Sequence, residues 1–204
     1  MKLNIIFDIG NVLIKWDPNT VYANYFAGDL QKIQNFFQET DIFKWNELID
    51  AGTPVNNVIQ KMIDKFPHYH EPISLWHTKW LEMISGAIEG SVAILKNLYA
   101  QKVPLYALSN WSAETFMEHI RHQYSFFDYF KDIVLSGVEK VIKPDIKIYQ
   151  ILLERNQLQA HNCLFIDDNP NNLPPAQKLG MDVIKFESPE QLRQELTNRK
   201  VILI

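Results

Sequence analysis

Five short apolar runs, at residues 3–7, 105–108, 133–135, 164–166 and 183–186, constrain this chain more than any other feature. Each is strand-sized and rich in β-branched or aromatic side chains, and most run almost without polar interruption. A strand with one wet face alternates, whereas a strand covered on both faces does not. These runs therefore predict a sheet buried on both sides. Helix-length segments separate them. Residues 91–100 carry apolar side chains at 92, 94, 95, 98 and 99 behind Ser91 as an expected N-cap. Residues 112–122, 144–156 and 174–179 read similarly, with Pro144 and Pro174 at helix starts, where the missing N–H has no partner to lose. Strand and helix in alternation predict an α/β fold built on a doubly wound, Rossmann-like parallel sheet.

The interval between the first two runs differs in character. Helical spacing recurs at 19–27, 29–39, 55–65 and 72–84, broken at Gly52-Thr53-Pro54 and Phe66-Pro67, and no strand stands out between 16 and 84. The expectation is an α-helical insertion over residues 16–84, placed after the first strand of a core formed by residues 1–15 and 85–204. The closing stretch, residues 200–204, is apolar enough for either an edge strand or a docking tail.

Charge and cysteine content narrow the function. With 20 Lys plus Arg against 24 Asp plus Glu the net charge is −4, and no basic stripe is present, which argues against a nucleic-acid partner. The single cysteine, Cys163, lies in an apolar run and reads as an inert buried thiol. The first apolar run is broken by Asn4 and stopped by Asp8, unlike a signal peptide. No window approaches the roughly 20 apolar residues that cross a bilayer. A cytoplasmic chain without membrane contact is expected.

In an open parallel sheet, ligands bind outside the carboxyl ends of the strands. Four such ends, or the segments just beyond them, carry polar clusters: Asp8-Ile9-Gly10-Asn11-Val12-Leu13, Ser109-Asn110, Lys143-Pro144 and Asp167-Asp168-Asn169. Singly these are ordinary turn and cap chemistry. Two adjacent acids at a sheet edge repel, however, and need a cation or donors to offset them.

In this order and spacing the four motifs resemble the haloacid dehalogenase-like hydrolase superfamily. The Asp-x-Gly-Asn opening is similar to a branch that includes bacterial α-D-glucose-1-phosphate phosphatases. The resemblance implies that the helical insertion is a cap and that the chain is a phosphatase of a small phosphorylated substrate, a sugar phosphate by the branch it resembles. Asp8 would be the nucleophile, forming an aspartyl-phosphate. Mg²⁺ would be held by Asp8, the Gly10 carbonyl and Asp168, with Asp167 as a further or outer ligand. Lys143 would act as a fixed charge, and Ser109, Asn110 and Asn11 would contact substrate.

Two positions depart from that pattern. Most phosphatases of this superfamily carry a second Asp two residues after the nucleophile as general acid and base, and here that position is Gly10. Proton transfer by a placed group contributes about 10² to 10⁴ in rate, so its loss predicts a preference for acidic leaving groups such as anomeric sugar hydroxyls. A cap side chain or the substrate itself would otherwise have to supply the proton, and Asp17 is a weak candidate. The other departure is Asn172, where many relatives carry an acid. It either tunes the metal site or simply forms the turn before Pro174 and Pro175.

Of five tryptophans, Trp16 and Trp111 directly follow motif segments and are expected as pocket walls. The histidine pairs at 68/70 and 119/122 lack a third ligand and read as surface. Two other functions compete. One is metal-free 2-haloacid dehalogenation, disfavoured by the paired acids. The other is binding of a phosphorylated ligand without efficient turnover.

Overall fold

A computed structural model describes residues 3–201, so the question of a strand or tail at 200–204 falls largely outside the described residues. Among the described residues seven strands form, β1 (Asn4–Phe7), β2 (Ile14–Trp16), β3 (Ile84–Ala87), β4 (Leu105–Ser109), β5 (Asp132–Leu135), β6 (Cys163–Asp167) and β7 (Asp182–Lys185). Five of them make one parallel sheet in the order β5-β4-β1-β6-β7. These are the five apolar runs. Alternate residues serve opposite faces: Ile5 and Phe7 join one core with Leu105, Ala107, Leu164 and Ile166, while Ile6 joins another with Tyr106, Leu108 and Phe165. Helices close both faces, Glu89–Ala100 and Pro189–Asn198 on the first and Ile146–Arg155 on the second. The unbroken apolar strands thus follow from a sheet that has no wet face.

Five helices lie between β2 and β3: α1 (Asn19–Tyr25), α2 (Leu30–Thr40), α3 (Ile42–Asp50), α4 (Val55–Lys65) and α5 (His70–Thr78), with a 3₁₀ turn over Trp80–Met83. They bury a core of their own, whose residues run from Val21 to Met83 and include Tyr22, Phe36 and Trp76. Helix α3 lacks a sequence signal because only Asp41, at φ 50°, separates it from α2. An Asp in the left-handed region turns the chain here without the Gly or Pro that marks the other breaks.

β2 and β3 form an antiparallel ribbon, Ile14 opposite Ala87 and Trp16 opposite Ile84, where the chain leaves and re-enters the α/β core. At three and four residues, mostly half-exposed, these strands are too short to show as periodicity. Two helix starts and one helix type also differ from expectation. The helix containing Ser91 begins at Glu89 straight after β3, so Ser91 is buried inside it, its hydroxyl unpaired, rather than capping it. Asp145, not Pro144, opens the next helix by accepting from the Lys147 N–H, and the Lys143–Pro144 peptide is cis. The segment 112–122 is a short α turn that widens into a π turn at Phe116–Ile120, the Arg121 N–H donating to the Phe116 carbonyl.

Candidate active site

The ends of β1, β4 and β6 converge because those strands are neighbours in the sheet, and their polar tails meet at one point. Asp8 follows β1 directly. Its Oδ1 accepts from its neighbour Ile9 N–H at 2.7 Å, from Ser109 Oγ at 2.8 Å and from Lys143 Nζ at 3.0 Å. Its Oδ2 accepts no hydrogen bond among the described residues. The carboxylate is therefore fixed in plane by one oxygen and left open at the other.

Lys143 is 3% exposed and also donates to Asp167 Oδ2 at 2.7 Å and to the Leu108 carbonyl at 3.0 Å. Burial alone would lower its ammonium pKa, but the facing Asp167 and Asp8 carboxylates reverse this and raise it, so the charge is held. Asp167, fully buried, has both oxygens engaged. Oδ1 accepts from the Asn169 N–H and Asn172 Nδ2, each at 2.9 Å, and Oδ2 accepts from Lys143 and from Asn172 Nδ2 at 3.0 Å. Asn172 is thereby tied into the site through its amide nitrogen, while its backbone carbonyl accepts from Tyr149.

Carboxylate oxygens of Asp8, Asp167 and Asp168 lie within 4.8 Å of one another, facing a single ammonium. Burial, and then the repulsion of the Asp167 carboxylate, raises the pKa of Asp168. Burial raises Asp8 as well, and Lys143 only partly opposes it. Three acids against one cation leave excess negative charge among hard oxygen donors, and Asp8 and Asp168 keep oxygens to give. That donor set suits Mg²⁺. Asp167, its lone pairs taken, serves as the anchor of Lys143.

The resemblance implies that Asn11 and Asn110 contact substrate; in the structure both amides also hold backbone, and Asn110 lines the cavity at Gly10. Asn110 Oδ1 accepts from the Lys143 N–H at 2.8 Å and its Nδ2 donates to the Lys143 carbonyl at 3.0 Å, a two-point clamp on the lysine's backbone. Asn11 sits at φ 52° in the tight turn after β1, its side-chain carbonyl accepting from the Trp16 N–H. Asp17 accepts from both nitrogens of Asn19 at the start of α1, which is helix-start chemistry.

Above the Asp8 loop lies a cavity of about 90 Å³. Gly10 forms part of its floor, Trp16, Trp80 and Trp111 its aromatic walls, and Asn46, Asp50 and Asn110 the remainder. Trp16 and Trp111 are thus pocket walls, joined by Trp80, whose ring meets Trp111 edge-on at 5.7 Å. Trp45 and Trp76 belong to the core of the inserted helices. His68 lies 3.8 Å from Glu39 and His119 3.8 Å from Glu118, all four well exposed. Cys163 is buried, and burial pushes its thiol up to about 11. Among the described residues no helix is long and apolar enough to cross a membrane. Asn46 and Asp50 carry no motif, and nothing in the sequence marks them.

A sequence profile of the family described as haloacid dehalogenase-like hydrolase matches residues 4–180. The sesquiterpene phosphatase astK of Aspergillus oryzae is 32% identical over 192 residues, 86% of this chain and 85% of that protein. Acyl-CoA dehydrogenase family member 10 of Mus musculus is 26% identical over 206 residues, 94% of this chain but only 18% of that protein. In structure the chain aligns with a HAD family enzyme of Bacteroides thetaiotaomicron, described as a complex with magnesium and inorganic phosphate. The TM-score is 0.69 at 21% identity, over 92% of this chain and 96% of that one. At that identity the likeness is one of fold.

Proposed function

The chain belongs to the haloacid dehalogenase-like hydrolases, and on that premise we propose that it is a Mg²⁺-dependent phosphate monoester hydrolase working through an aspartyl-phosphate on Asp8. One observation carries the reading: Asp8 Oδ1 is held by three donors while Oδ2 is left open beside Lys143 and two further acids. Oδ2 is then the atom that attacks phosphorus, with its direction set before substrate arrives. Lys143 offsets the charge of the incoming phosphoryl group, and Ser109 orients the nucleophile. Asp8, Asp168 and the Gly10 carbonyl are the residues that would hold Mg²⁺, which when bound offsets repulsion between phosphate and carboxylate. The helices of residues 16–84 act as a cap over this site.

The relative of matching length is a sesquiterpene phosphatase, which supports the reaction class rather than a substrate. For the body of the substrate, the three tryptophans provide flat apolar faces suited to a small ring, and a sugar phosphate is the finer reading. Hydrolysis of p-nitrophenyl phosphate tests the class. Turnover should require Mg²⁺, stop with chelator, and be abolished by Asp8→Asn. Turnover indifferent to Mg²⁺ or to Asp8→Asn would refute the reading. A turnover screen of sugar phosphates then tests the substrate class.

A further inference from the structure

We propose that Asp50, the last residue of α3, is the general acid and base of this site, standing in for the side chain that Gly10 lacks. The inference rests on the phosphatase reading above and adds to it the group that moves the proton.

The space for a second acid is present but empty of side chain: a Cβ placed on Gly10 would meet nothing within 4 Å. The cavity that opens there is bordered on the cap side by Asp50, and of the residues lining it Asp50 alone has an ionisable side chain. Its position is fixed from both sides. From the core, Ser136 Oγ donates to the Asp50 carbonyl at 2.6 Å while accepting from the Trp111 N–H at 2.9 Å, and Lys140 Nζ donates to the Gly52 carbonyl at 3.2 Å. From the cap, Trp76 Nε1–H can only donate, so it holds Asn46 Oδ1 at 2.9 Å and turns Asn46 Nδ2 toward Asp50 Oδ2 at 2.8 Å. Oδ2 is thus an acceptor of the Asn46 amide.

The surroundings favour a proton on Asp50. Burial, with Glu47 and Asp8 as nearby negative charges, pushes Asp50 up to about 7, against the Ser112 N–H and Lys143, which act to lower it. A carboxyl group poised there can give and retake a proton near neutrality. In the first step the Asp8 Oδ2–P bond forms, the ester P–O bond breaks, and the Asp50 proton passes to the departing alkoxide oxygen. In the second, Asp50 takes a proton from water as that water's oxygen bonds to phosphorus, and the P–O bond to Asp8 breaks. Phosphate and the free Asp8 carboxylate result, and Asp50 is again protonated.

The test compares benzyl phosphate, a poor leaving group that needs the proton, with p-nitrophenyl phosphate, which does not. Asp50→Asn and Asp50→Ser should lose roughly 10² to 10⁴ in kcat on benzyl phosphate and less than about tenfold on p-nitrophenyl phosphate. Adding Gly10→Asp to Asp50→Asn, in the open space above Gly10, should restore benzyl phosphate turnover. If both folded variants slow the two substrates equally, or leave both unchanged, Asp50 is not the acid. Failure of the unaltered protein on p-nitrophenyl phosphate would instead overturn the phosphatase reading, and this proposal with it.

Discussion

Asp167 and Asp168 are adjacent in sequence and opposite in circumstance. Asp167 is closed off by Lys143, Asn172 and the Asn169 N–H, whereas Asp168 is partly exposed and keeps oxygens for a metal. Replacing them should therefore give different failures. Asp168→Asn should raise the Mg²⁺ concentration for half-maximal activity by tenfold or more, on the order of the 10- to 100-fold cost of disturbing a metal site. Asp167→Asn should leave that concentration within a few-fold but lower kcat and melting temperature, because it strips one partner from a buried lysine, a change that costs about 3–5 kcal/mol. Metal titrations of the two variants check this, and equal shifts in both would contradict it. That Asp8, Lys143 and Ser109 meet is legible in sequence because a parallel sheet brings strand ends together whatever surrounds them. The partners of Asn11 and Asn110 are not, because an amide's partner is chosen by backbone that folds beside it.

Helix α3 is one of several elements that sequence pattern misses, and the one that brings Asp50 to the cavity. Its start is hidden by Asp41, and its end is set by a close seam with the core. Gly52, at φ 86°, would bring a Cβ to 2.7 Å from the Gly137 carbonyl and against the Lys140 side chain. Gly52→Ala should thus destabilise the chain by about 1–3 kcal/mol, from the left-handed backbone and the crowding together. It should also reduce turnover, since the seam positions Asp50, and thermal melting with kinetics on the one variant checks both. An unaltered melting temperature would mean that the seam is looser than the contact geometry requires. With Asp50 supplying the proton, the preference for acidic leaving groups expected from Gly10 alone should be absent. A helix invisible in the pattern brings Asp50 to the cavity that opens at Gly10.

At the scale of the whole molecule, two apolar cores on either side of a two-stranded ribbon hold a carboxyl-rich cleft between them. The five-strand sheet is legible because burial on both faces writes itself as continuous apolar runs; the ribbon is not, because it buries little. The cleft has a cost that depends on pH. Folded, Asp50 keeps its proton up to about pH 7, while an unfolded Asp releases it near 3.8. Between those values the folded state binds more protons, so this group's contribution to stability falls as pH rises and is fully unfavourable above 7. Asp50→Asn should accordingly melt higher than the unaltered protein above pH 7, with the two converging toward pH 4. A difference independent of pH would place the Asp50 proton elsewhere.

The claim on which the rest depends is that Asp8 becomes phosphorylated. Acid quenching during turnover of p-nitrophenyl phosphate with Mg²⁺, followed by peptide mass spectrometry, tests it most directly. The predicted result is one phosphoryl group on the peptide containing Asp8, absent from the Asp8→Asn protein. Phosphate released at full rate with that peptide unmodified, or released by Asp8→Asn, would contradict the account.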